Sequence, residues 1–145
     1  MKALKIACFF AAGILVQAAL YGLSVLFLYG FSLELFITGV IAEIFGAITL
    51  GFVSGNIAKK LSLSRLAGTL SYIIGTFFLI ISAAIAIDLL LPYYPVDSTG
   101  LGGLPNLGRN ISFGMLLIFA IPPALNALVQ GIYGIYRLVK AKNNP

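Results

Sequence analysis

Residues 35–58 read LFITGVIAEIFGAITLGFVSGNIA. They contain one charged residue, Glu43, and no proline. A bilayer hydrocarbon core of about 30 Å is crossed by about 20 helical residues, so this stretch is long enough to span it. Three further stretches have the same character: residues 6–31, 66–91 and 112–136. Of nine basic and four acidic residues in the chain, only Glu43 and Asp88 fall inside the four stretches. The backbone finds no water at that depth, and the apolar runs lack the alternation of a membrane barrel, so helices are predicted.

Composition agrees. Hydrophobic residues make up 61% of the 145-residue chain and charged residues 9%, against about 45–50% and about 25% in soluble domains. The expected fold is all-α: an integral membrane four-helix bundle, antiparallel and up-down, forming one domain over residues 1–145. The chain has no His and a single Cys. That removes His-ligated metals, Ser–His and Cys–His catalytic pairs, and any intrachain disulfide. No enzyme and no cofactor are expected. Cys8 is read as a small packing residue.

Orientation follows from the basic residues. Lys2, Lys5, Lys59, Lys60, Arg65, Arg137, Lys140 and Lys142 share one side, and Arg109 stands alone on the other, with Glu34 and Asp97. The positive-inside rule makes both termini cytoplasmic. Tyr29, Tyr93 and Tyr94 mark the outer interface, and Tyr72, Tyr133 and Tyr136 the inner one. The net charge of +5 is thus a topology signal plus attraction to anionic lipid, with no nucleic-acid partner implied. The apolar run after Lys5 is longer than a secretory signal's core of about 7–15 residues, so the first helix is expected to stay uncleaved. The compact form without soluble modules suits a prokaryotic inner membrane.

The turn around residues 32–34 is short, and Ser64 is placed to cap the third helix. Residues 92–111 read PYYPVDSTGLGGLPNLGRNI, a composition that predicts an irregular outer loop.

Membrane helices pack through small residues and interhelical hydrogen bonds, because lipid is as apolar as Leu. In the second span Gly39, Glu43, Ala47, Gly51 and Gly55 recur every four residues and form one stripe. Gly51 and Gly55 make a GxxxG pair. The stripe is expected to face protein, carrying Glu43 with it.

Counting at 1.5 Å per residue puts Glu43 about 5 Å outside the midplane, Gln17 and Asn126 within about 2 Å of it, and Pro122 and Pro123 about 3 Å outside. These residues form the candidate intramembrane polar site. Each proline lacks an N–H, which frees the carbonyls of Ile118 and Phe119. The fourth helix is therefore predicted to be kinked or broken at Pro122–Pro123. A charge at Glu43's depth costs about 3 kcal/mol on insertion scales, and no span holds Lys, Arg or His. Glu43 then has three possible states: neutral and hydrogen-bonded to Gln17 or Asn126, facing a bound cation, or paired with a basic residue of another protein. Asp88 is expected to reach interfacial water, and Gln130 to extend the polar line inward.

Two functional expectations follow. The first is a non-enzymatic accessory, scaffold or assembly subunit whose partners are the lipid bilayer and other membrane subunits. The second is a homo-oligomeric small transporter or channel that couples protons or cations through Glu43.

Overall fold

A computed structural model describes residues 1–30, 33–91, 93 and 103–143. They form four helices: α1 (Lys2–Gly30), α2 (Leu33–Lys60), α3 (Arg65–Leu90) and α4 (Gly103–Asn143). All four are long and apolar enough to cross a membrane, and there is no strand among the described residues. The protein is an integral membrane four-helix bundle. Tyr94, Asp97 and the rest of residues 94–102, with the connection at 31–32, lie outside the described residues.

The bundle is inverted relative to a water-soluble one. Leu15, Phe45 and Leu117 are each at least two-thirds exposed, while Gln17, Glu43 and Asn126 are at most 4% exposed. The accessible surface is 9500 Å², whereas a compact soluble protein of 15.4 kDa would present about 7,200 Å². In water that apolar excess would be unfavourable; in lipid it costs nothing.

Neighbours in sequence are not the closest neighbours in space. α1 packs most extensively on α3, and α2 packs on both α3 and α4. Phe9 clusters with Leu63, just ahead of α3, Gly13 meets Tyr72, and Gln17 and Tyr21 share a crevice with Leu79 and Ala83. The contacts advance together along both helices, so α1 and α3 run parallel. Glycine sets their separation: a Cβ at Gly13 would strike the Tyr72 carbonyl oxygen, and one at Gly75 the Phe10 carbonyl oxygen. The backbones touch there because neither residue has a side chain. Tyr72, expected at the interface, is instead buried at this crossing. Cys8, expected in packing, faces outward.

The α2–α3 hairpin is closed by a glycine-free C-cap. Leu63 N donates to Ala58 O at 2.9 Å and Ser62 N to Lys59 O at 3.1 Å, the paired bonds of a Schellman motif. Ser62 supplies the left-handed residue at φ 59°, a conformation that usually goes to glycine. Leu63 folds back to pack with Ala58 and Phe9. Ser64 then caps α3, its hydroxyl accepting from Ala67 N at 3.1 Å, as predicted. Lys5 Nζ donates to Leu61 O at 2.7 Å and ties the start of α1 to this turn.

α4 departs from expectation at its start. It has 41 residues and begins at Gly103, so residues 103–111 are helical rather than loop. Pro105 lies in the first turn, where a missing N–H breaks no intrahelical bond. This extension carries Arg109 to Asp88, with which it forms an ion pair, and over the rings of Tyr93 and Phe113. Asp88 is largely exposed, and it is paired as well.

Candidate functional site

The site is organised by Pro122 and Pro123, both fully buried. They lie inside one continuous helix. Of the kinked and broken alternatives the break does not occur, so α4 offers no second N-terminus in mid-membrane. Another helix meets one of the carbonyls that the prolines leave over. The carbonyl of Phe119 lost its donor to Pro123, and Gln17 Nε2 of α1 donates to it at 3.4 Å. A free carbonyl in hydrocarbon is unfavourable by several kcal/mol, so a buried amide is needed at that point of α1. Tyr21 packs edge-on to the Phe119 ring, with centroids 4.6 Å apart. Phe36 of α2 approaches the same ring at 6.5 Å. Phe119, 1% exposed, thus joins α1, α2 and α4.

The stripe of α2 faces this interior. Glu43 and Ala47 are buried, and Gly51 and Gly55 are in tight contact. The GxxxG pair does something other than bring backbones together. A Cβ at Gly51 would collide with the Asn126 side chain and come within 2.8 Å of Gln130 Nε2. One at Gly55 would lie 2.6 Å from Thr69 Oγ1 and 2.7 Å from Arg65 Cγ. Each glycine makes room for polar side chains of a neighbouring helix. Gly39 is different: a Cβ there would meet nothing within 4 Å, so the packing stripe begins one turn further along.

Asn126 and Gln130 form a polar pair on α4. Gln130 Nε2 donates to Asn126 Oδ1 at 3.5 Å and to the Ile48 carbonyl of α2 at 3.3 Å. Asn126 is 1% exposed, and its Nδ2 has no partner among the described residues. The sequence-predicted residues Gln17, Glu43, Asn126, Pro122 and Pro123 all lie inside one bundle. They fall into two groups: Gln17 with the proline segment, and Asn126 and Gln130 with Gly51.

Two hollows border these groups. A crevice of about 200 Å³ lies against Gln17, Tyr21 and Phe119. A cleft of about 500 Å³ opens between α3 and α4 toward the basic end, with Thr69 and Gln130 among its walls and Arg65 and Arg137 at its mouth. Arg65 is held over Tyr133 at 5.0 Å and Phe52 at 5.7 Å. Sequence reading missed Arg65, Thr69, Gly13 and Gly75. A signal for α1 was present: Phe9, Gly13 and Gln17, four apart, are the buried residues of its first half. Among the described residues no three Cys, Asp or Glu side chains converge as a metal site would require.

No protein-family model matches the chain, and no curated protein or solved structure is detectably similar to it.

Proposed function

We propose that the protein is a non-enzymatic accessory, scaffold or assembly subunit of a prokaryotic inner membrane, with both termini cytoplasmic. One observation carries this reading: Gln17, Glu43 and Asn126 are buried to at least 96% within a single chain. Polar groups sealed in this way act as glue between helices of one bundle. The outward surface, through which other subunits are met, is left apolar. The eight-to-one distribution of basic residues supports the orientation. The same bundle also supports a second reading, transport. The cleft between α3 and α4 reaches Gln130, which contacts Asn126 and its unpartnered Nδ2, a partial polar route toward mid-membrane.

The test is native mass and composition after gentle extraction, for the wild type and Glu43→Gln. A stoichiometric second protein is expected, together with weakened assembly or stability in Glu43→Gln. A pure homo-oligomer in which Glu43→Gln keeps its fold but loses ion-coupled flux would overturn the accessory reading in favour of transport. A reporter joined after Pro145 and found outside the cell would overturn the orientation.

A further inference from the structure

We infer that the cleft between α3 and α4 is a binding site for one anionic phospholipid, with an acyl chain in the cleft and the phosphate at Arg65 and Arg137. The cleft is an absence of side chains on α4. At Gly131 and Gly134, both in its wall, an added Cβ would meet nothing within 4 Å. Unlike Gly13 and Gly75, these glycines hold a space open. The space is apolar for most of its length, from Leu66 and Leu70 on α3 to Leu138 on α4. Leu138 and Ala141 continue the α4 wall outward past Arg137. Measured inward from the two arginines, the space runs from Arg65 to Ile73 along one helix and from Arg137 to Ala127 along the other, about 12–15 Å at 1.5 Å per residue. That is the depth of one leaflet, half of a hydrocarbon core of about 30 Å. Its dimension along the bundle therefore matches a lipid tail.

The mouth selects the headgroup. Arg65 and Arg137 both approach Tyr133, their guanidinium carbons 5.0 and 6.0 Å from its ring centroid. Two guanidinium groups gathered at one ring concentrate positive charge at the mouth, which an anion there would offset. Among the described residues the acidic side chains are Glu34, Glu43 and Asp88, and none lies at this end of the bundle. Arg65 is further restrained by Phe52 and by the fit of its stem over Gly55. A guanidinium so oriented presents its paired N–H groups to phosphate oxygens at little entropic cost. Phosphatidylglycerol leaves its phosphate charge uncompensated, whereas the choline of phosphatidylcholine neutralises it, and that difference is what two arginines without carboxylates distinguish.

The experiment uses the full chain in bilayers of equal parts phosphatidylglycerol and phosphatidylcholine, released into native mass spectrometry. One phosphatidylglycerol retained per chain is expected, in preference to phosphatidylcholine. Arg137→Gln should reduce that preference about five-fold, the worth of one basic residue at an anionic surface. Gly134→Leu, or independently Gly131→Leu, should fill the cleft and abolish retention of the lipid. Thermal unfolding in phosphatidylcholine alone, where no anionic lipid contributes, should be unchanged in both, because their side chains enter open space. Equal retention of the two lipids by the wild type would overturn the proposal. So would undiminished phosphatidylglycerol in a folded Gly134→Leu chain, or a second copy of this chain that Gly134→Leu displaces.

Discussion

Replacing Gly13 by Ala adds one methyl group where α1 crosses α3. The new Cβ would overlap the Tyr72 carbonyl oxygen and lie 3.1 Å from Thr76 N. Both are backbone atoms of a helix interior, so neither rotates away. α1 must move out by roughly an ångström, and a gap of about that size forfeits a quarter to a half of each dispersion contact it opens. The Phe10–Phe78 packing, with centroids 5.4 Å apart, sits on this seam. The Gln17–Phe119 hydrogen bond is already 3.4 Å long and has no slack. Overpacking costs about 1–3 kcal/mol, and a lost interhelical hydrogen bond in a membrane about 0.6 kcal/mol. The helix-propensity gain of Ala over Gly largely cancels, since α1 stays helical in lipid when the bundle comes apart. The net expectation is a loss of about 2–3 kcal/mol, read from reversible unfolding in mixed micelles with a rising fraction of denaturing detergent. Gly75→Ala should cost a similar amount. The double variant should cost less than the sum, because one displacement relieves both clashes. Gly131→Ala, whose Cβ meets nothing within 4 Å, serves as control and should stay within about 0.5 kcal/mol of wild type. If Gly13→Ala matches that control, the backbone contact between α1 and α3 is wrong.

Three further outcomes are expected from the same unfolding measurement. Gln17→Leu should destabilise by about 1 kcal/mol, and the loss should shrink in a Pro123→Ala background, where residue 123 regains an N–H for the Phe119 carbonyl. An undiminished loss there would mean that Gln17 acts elsewhere. Ser62→Gly should stabilise by about 1 kcal/mol by relieving a left-handed non-glycine residue; no gain would argue against the C-cap geometry. Gly51→Ala should cost about 1–2 kcal/mol by displacing buried Asn126, whereas Gly39→Ala should be near neutral, and equal effects at the two positions would contradict the stripe's position.

How much of this was readable from residues alone depends on the kind of signal. The four helices follow from apolar length, and the cap at Ser64 from its local chemistry. The burial of Glu43, Ala47 and Gly51 follows from a repeat of four. Composition misled at residues 103–111, where glycine and proline suggested a loop. Proline's effect depends on its place in a helix, and Pro105 falls where it does no harm. At Pro122–Pro123 the freed carbonyls could be counted, but their donor could not be named. Gln17 is over a hundred positions away, and only the fold brings it to Phe119. The up-down expectation already gives α1 and α3 a common direction, but their close contact was equally hidden. Gly13 and Gly75 are two of 16 glycines; Gly13 at least falls in the four-residue repeat of Phe9, Gly13 and Gln17, but nothing local distinguishes Gly75 from Gly131 and Gly134, which border a cleft.

The pairing of α1 with α3 also sets an order of events while the chain is being made. Segments emerge from the ribosome N-terminal first, so α2 follows α1 into the bilayer before α1's main partner exists. Until Gly75 has been synthesised, the face around Gly13 is covered only by lipid. Gln17 waits longer, because its acceptor on Phe119 belongs to the last helix. A nascent chain halted after Lys60 would hold an unsatisfied amide in hydrocarbon, and only completion of α4 removes it.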